Sequence, residues 1–344
     1  MTAPREESWS ASTAMGTTVH LCAAGEGPMD GGRGSSAASA AHAVVAEIDA
    51  ALSRFRPDSD VGRVNAAAGS WVAVSGHFAT VALSAERYRL LTGGAFDVVS
   101  AEGRLVVREA AEGRLVVREV AEGRWEARVD RGCVVDFGAI AKGYAADVAL
   151  GRVAAPGALV SLGTSSISVR GRPARRASWR IAVGSPWAGI DDSLGYLEVS
   201  RGSFSMSGVR GQRIGADKVV VGHVRDPRTG LPVCTDACAV GVLSEGGMRS
   251  EALSTAGLVQ GHGGRGSESL SWVGAVLGEG GMRSEALSTA GLVLGVDRAL
   301  ALFRRLDVEA FVLTVAGEIV ATPSMAAHLM LRAGLRGRLA NVVR

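Results

Sequence analysis

The chain has 344 residues, 47% of them apolar, which is enough for one large domain or two ordinary ones with a true core. Lys and Arg total 37 against 34 for Asp and Glu, and a formal charge of +3 at this length gives no ground for a nucleic-acid or anionic-membrane partner. Cys22, Cys133, Cys234 and Cys238 show neither CxxC pairing nor an accompanying histidine pattern, so reduced thiols are expected rather than a zinc site.

The first 13 residues are polar and are expected to form a disordered tail ahead of a single domain over 14–323. No apolar run ahead of Cys22 resembles a signal or lipoprotein leader, and no later run reaches the length of a membrane span, so a cytoplasmic setting is expected. The small-residue loop "GPMDGGRGSSAASA" precedes "AAHAVVAEIDAALSRF", whose apolar spacing predicts a helix over about 38–55. Pro57 and the turn formers of "RPDSDVGRVNAAAG" break it, and "HFATVALSAERYRLLTGG" predicts a second helix stopped by Gly93 and Gly94. The stretch 101–130 writes "AEGRLVVREA" almost twice and begins it a third time; a ladder of short strands or a solvated charged excursion both fit.

Further on, "CVVDFGAIAKGYAADVALGRVA" runs from a strand through a glycine-bounded turn into a helix over roughly 144–154. The segments "GALVSLG", "WRIAVGSPW", "LGYLEVS", "KVVVGHV" and "DACAVGVLS" read as strands, "DRALALFRRLD" as a helix, and "VEAFVLTVAGEIVATP" as a hairpin turned at Ala316 and Gly317. Residues 324–344 carry a helical pattern as a C-terminal tail. Helices and strands mix without strict βαβ alternation, which predicts an α+β fold: a mixed, mostly antiparallel sheet core flanked by helices. A 20-residue segment at 242–261, "VLSEGGMRSEALSTAGLVQG", returns at 276–295 as "VLGEGGMRSEALSTAGLVLG", differing at two positions. Only one copy can hold the architectural slot, which makes about 262–281 an insert. The second copy runs directly into "VDRALALF" and the sequence does not choose between the two, but "DACAVGVLS" supplies a strand just before the first copy and tilts the reading to that one.

Four motifs carry chemistry. In "DFGAIAKGYAAD" glycines let backbone N–H groups approach an anion, the helix start adds positive potential, and Lys142 adds a full charge; the same letters also make a plain turn with a surface lysine. It is neither a P-loop nor a GxGxxG turn. "GHVRDPRTGLP" sets His223 ahead of a turn, either as an acid–base group or as a structural histidine. "RSEALSTAG" places Glu251 and Thr255, or Glu285 and Thr289, four apart on one helix face: two hard oxygen ligands of the kind Mg2+ takes, or a polar face near a cap. "SLGTSS" and "SFSMSG" are hydroxyl-rich strand ends that suit a phosphate, a ribose or an ordinary turn.

Read in order, "AMGTTV", "LSRFRPDSDVGRVN", "TGGAFD", "VDFGAIAKGYAAD", "VSLG", "WRIAVGSP", "SMSG", "HVRDPRTG" and "EALSTAGLVLG" resemble the successive blocks of the FAD:protein FMN transferase (ApbE) family, over about residues 14–323. The resemblance implies an enzyme that binds FAD and Mg2+ and transfers FMN through a phosphoester to a Ser or Thr hydroxyl of an acceptor flavoprotein, releasing AMP. It implies Lys142 and His223 as catalytic groups. Met15, Gly94, Asp97, Asp136, Lys142, Gly143, Tyr144, Ser207, Gly208 and His223 would contact FAD, and Ala139 with Glu251 and Thr255 or Glu285 and Thr289 would hold the metal. The chain departs from the family in carrying Glu where Asp is usual, and "SLGTS" where the family has "NLGGD". Those departures keep open a non-catalytic FAD-binding paralogue and an FAD pyrophosphatase yielding FMN and AMP.

Overall fold

The computed structural model describes residues 5–26, 33–101, 114–187, 193–208, 212–213, 220–221, 224–244 and 279–339. The chain opens with an antiparallel hairpin of β1 (Arg5–Ala14) and β2 (Thr17–Glu26), in register from Arg5 opposite Glu26 to Ala14 opposite Thr17. Residues 5–13 are therefore an edge strand and not a tail. An edge strand whose outer face is wet needs few apolar residues, so "REESWSAST" hides its strand character. The two-residue turn puts Met15 at φ 53° and Gly16 at φ 69°, the left-handed pair a tight hairpin requires, although Asn–Gly usually fills it. A non-glycine residue there costs about 1–2 kcal/mol.

Helix α1 (Arg33–Leu52) starts earlier than its periodicity indicates. A short α2 (Asp60–Ala66) occupies the stretch read as a break, because Ser59 caps it by accepting the Gly62 N–H at 2.8 Å. Then come β3 (Val72–Val74), α3 (Gly76–Leu91), β4 (Val99–Ala101), β5 (Leu115–Ala121), β6 (Arg124–Val129) and β7 (Cys133–Val135). The second and third repeat units thus make the β5–β6 hairpin, joined by β3 in a three-stranded sheet, while 102–113 lie outside the described residues. Helix α4 (Ala141–Arg152) follows and begins three residues before the expected 144, which brings Lys142 and Gly143 into its first turn.

The second half adds β8 (Gly157–Leu162), β9 (Ser166–Arg170), β10 (Trp179–Gly184), β11 (Ser193–Val199), β12 (Arg201–Gly208), β13 (Gln212–Arg213), β14 (Val220–Val221) and β15 (Ala237–Ser244). After them stand α5 (Glu279–Leu294), α6 (Val296–Arg305), β16 (Glu309–Thr314), β17 (Ile319–Ala321), α7 (Pro323–His328) and β18 (Leu329–Leu331). The principal sheet has eight strands in the order β1-β2-β8-β9-β12-β15-β16-β17, with every pairing antiparallel, as the α+β reading expects. Both faces are covered. Along β8, Ala158, Val160 and Leu162 face the helical side while Leu159 faces the β10-β11-β18 sheet, which is why "GALVSL" lacks a polar alternation. The C-terminal stretch belongs to the domain: β18 pairs with β11, and Leu335 is buried in the layer between the sheets. Among the described residues no helix is long and apolar enough to cross a membrane.

The duplicated segment resolves as follows. Strand β15 ends at Ser244, and a Cβ added to Gly280 at the start of α5 would stand 3.5 Å from the Ser244 carbonyl oxygen. Thus the second copy fills the slot beside β15, against the preference for the first that its preceding strand suggests. Residues 245–278, including Glu251 and Thr255, lie outside the described residues. Two features explain the outcome. Gly295 alone links α5 to α6, so this copy is contiguous with the next element. And Leu294 packs against the apolar core at the position where the first copy carries Gln260.

Candidate active site

The turn before α4 is built from its own side chains. Asn65 of α2 holds the end of β7, donating to the Val135 carbonyl at 3.0 Å and accepting the Val135 N–H at 2.7 Å. Asp136 accepts the Gly138 N–H at 2.8 Å, and its other oxygen pairs with Arg54 at 2.9 Å. Phe137 is buried edge-on against Phe78, and its carbonyl accepts the N–H groups of Ile140 and Ala141. No side chain of its own segment caps α4. A first turn without a local cap leaves N–H donors needing acceptors from elsewhere.

One acceptor arrives from α5. The Gly143 N–H donates to Glu285 Oε2 at 2.8 Å, and Ser166 of β9 donates its hydroxyl to Glu285 Oε1 at 2.5 Å. Lys142 Nζ stands 3.5 Å from that same Oε1 and 3.4 Å from the Gly138 carbonyl. Glu285 is only 4% exposed, so its charge is tolerable only because it has these donors and lies at a helix N-terminus. The helices approach so closely because glycine meets glycine: a Cβ on Gly143 would lie 2.2 Å from the Gly281 carbonyl oxygen, and the reverse distance is also 2.2 Å. One turn beyond Glu285, Thr289 Oγ1 stands 3.1 Å from Ser207 Oγ of β12, which is 2.8 Å from Ser288 Oγ.

The structure therefore brings Lys142, Gly143, Glu285, Thr289 and Ser207 together from three separate stretches, with Ala139 in the turn that leads into Lys142. Gly208 ends β12 opposite Ala239. Other expected contacts have partners of their own. The Asp97 carboxylate accepts the Val99 N–H at 2.8 Å and pairs closely with Arg114; burial still pushes its carboxyl up. Gly94 lies nearer the Asp226–Gly230 turn, where an added Cβ would come 3.9 Å from Arg228 Cγ. Met15 is in the first hairpin turn, and His223 lies outside the described residues. Ser166 was not among the expected site residues; its only signal is the hydroxyl-rich "SLGTSS".

Tyr144 shares a 2.8 Å hydrogen bond with His77 Nδ1, and burial pushes its phenol from the ordinary 10 up to about 12. A folded pKa above the unfolded one means stability present below pH 10 that is lost as pH rises to about 12, because only the unfolded chain ionises in that window. Denaturant titrations across this range are expected to show a decline, of which Tyr144→Phe removes a part worth roughly 2 kcal/mol. An identical decline in the variant would refute the assignment.

The assembled chemistry is a helix N-terminus, an ammonium group, one buried carboxylate and several hydroxyls, which suits an oligophosphate. Among the described residues no three His, Cys, Asp or Glu side chains cluster as a metal site, so any cation here would rely on carbonyl, hydroxyl and phosphate oxygens beside a single carboxylate. The ApbE family model matches residues 15–271, a span that runs through the first duplicated copy and stops short of the second. The FAD:protein FMN transferase of Treponema pallidum (strain Nichols) is 30% identical over 141 residues, which span 38% of this chain and 39% of that protein. Solved structures share the fold at low identity. The ApbE protein of Thermotoga maritima superposes with a TM-score of 0.72 at 20% identity, covering 94% of this chain and all of that one. The apo flavinyl transferase ApbE of Pseudomonas stutzeri gives 0.70 at 21%, covering 95% and 98%, and the flavin transferase ApbE of Vibrio cholerae 0.71 at 21%, covering 95% and 100%. With a family match over more than half its length, the chain belongs to the ApbE family.

Proposed function

We propose that the chain is an FAD:protein FMN transferase. The observation that carries this reading is the meeting of Lys142, Gly143 and Glu285 at the α4–α5 crossing, where a diphosphate would find the Lys142 ammonium group and the positive end of α4. In the reaction, a Ser or Thr hydroxyl oxygen of an acceptor flavoprotein attacks the FMN phosphorus. The bond from that phosphorus to the bridging oxygen breaks, AMP leaves with the electron pair, and the hydroxyl proton passes to a base, a role assigned to His223. Lys142 binds the charged diphosphate and orients it, while Asp136 and Arg54 fix the turn beneath.

The residues present fit Mg2+ as a partner of that diphosphate. A carboxylate offers about four acceptor sites, and Gly143, Ser166 and Lys142 use three of those on Glu285, leaving one on Oε2. With the Thr289 hydroxyl and the Ala139 carbonyl this makes an all-oxygen donor set suited to a hard cation. When bound, the ion would polarise the diphosphate and steady the charge that leaves on AMP. The same crowding of Glu285 favours one second reading, binding of FAD without transfer. Incubation with FAD, Mg2+ and an acceptor flavoprotein separates the outcomes. An acceptor heavier by FMN, with AMP released, is the expected result; AMP with an unaltered acceptor indicates hydrolysis, and bound FAD with neither product overturns the transferase reading.

A further inference from the structure

The crossing of α4 and α5 is reciprocal. Glu285, four residues after Gly281, takes the Gly143 N–H; Asp147, four residues after Gly143, takes the Gly281 N–H at 2.6 Å. Each helix thus carries, one turn beyond its contact glycine, the carboxylate that caps the other helix. The sheet beneath anchors both: Ser166 donates to Glu285, while Ser168 and Ser203, paired across β9 and β12, donate to Asp147 Oδ1 at 2.6 and 2.7 Å. Asp147 is half-buried, and its Oδ2 serves the first turn of α5 while its Oδ1 serves the sheet. It is five residues from Lys142 and reaches no expected substrate contact.

We propose that Asp147 is the positioning residue of this site: by tying Gly281 to β9 and β12 it sets the axial and rotational placement of α5, and with it the stance of Glu285 and Thr289 toward Lys142 and Gly143. The inference rests on the transferase reading. Without Asp147 the Gly281 end of α5 would lose its hydrogen-bonded tie to β9 and β12, leaving the glycine contact and the bonds of Glu285 to hold its first turn. Because Glu285 and Thr289 stand one and two turns beyond Gly281, a small rotation there displaces both oxygens together. FAD binding, which draws on Lys142 and on α4, would be much less affected.

The test measures acceptor flavinylation rate and FAD affinity for wild type, Asp147→Ala and Asp147→Asn. The alanine variant is expected to lower kcat ~10-fold or more while the FAD dissociation constant stays within about threefold, as for other groups that orient a ligand from behind. The asparagine variant keeps one oxygen for the Gly281 N–H and an amide the serine hydroxyls can face, and is expected to restore kcat to within about threefold. If the alanine variant does not fold, the Ser168→Ala and Ser203→Ala pair, which frees Oδ1 alone, should show the same fall in kcat at unchanged FAD affinity. A folded alanine variant with wild-type kcat would overturn the proposal, as would losses of rate and FAD affinity that merely parallel a lower melting temperature. Wild type that binds FAD yet flavinylates no acceptor would overturn the transferase reading and this proposal with it.

Discussion

Glu285→Ala is expected to reduce flavin transfer at least ~100-fold, whereas Glu251→Ala leaves it within about twofold of wild type. The two residues sit in nearly identical 20-residue segments, so sequence context alone would assign them equal roles. Glu285 accepts the Gly143 N–H, the Ser166 hydroxyl and the Lys142 charge. Its removal leaves two buried donors without acceptors, at about 1–3 kcal/mol each, and takes away the carboxylate that stands beside Lys142 and Gly143. Melting temperature and transfer rate should fall together in this variant and in neither measurement for Glu251→Ala. Excising 245–278 extends the comparison, because it joins Ser244 directly to Glu279 and rewrites the first copy's own junction, "VLSEGG". The Gly280–Ser244 approach makes that join geometrically short, and the shortened chain is expected to fold and remain active. A Glu251→Ala variant as impaired as Glu285→Ala would show that the first copy supplies the site.

Gly143→Ala and Gly281→Ala are each expected to destabilise the protein and abolish transfer. Alanine is the better helix former by about 1 kcal/mol, so helix propensity alone predicts stabilisation. Contact decides otherwise: each new methyl would stand 2.2 Å from a carbonyl oxygen of the opposite helix, and backbone cannot move aside as a flexible side chain does. Relief requires the helices to separate by about 1 Å, which lengthens both reciprocal caps and reaches or exceeds the ~1–3 kcal/mol typical of overpacking. A fall in melting temperature of roughly 5 °C or more is expected. Gly76→Ala, at the start of α3 with no atom within 4 Å of the added methyl, is the control and should be neutral or slightly stabilising. Wild-type stability in both crossing variants would mean that the helices do not meet through these glycines.

Much of this architecture is legible in the letters. Apolar spacing announces α1, α3 and α6, and the antiparallel sheet follows from strands separated by turn signals rather than by regular helices. Lys142 and Gly143 stand out only through the order of the family-like blocks, because the letters of their own turn fit a plain turn with a surface lysine equally well. What the letters hide is interaction across the chain. Strand β1 escapes because an edge strand with a wet face needs no apolar alternation. The start of α4 is read late because its cap comes from a residue 142 positions away. Ser166 and Ser203 look like turn or ribose-binding hydroxyls, yet together with Ser168 they are committed to two carboxylates. The choice between duplicated segments rests on Leu294 against Gln260 and on continuity with α6, neither of which a local motif contains.

The most direct test is a crystal structure of the protein with FAD and Mn2+ in place of Mg2+, located by its anomalous scattering. The account predicts a single Mn2+ beside Glu285 and Thr289, sharing oxygens with an FAD diphosphate that Lys142 and the start of α4 also contact. A diphosphate bound away from the α4–α5 crossing, or a metal coordinated without any residue of α5, would contradict it.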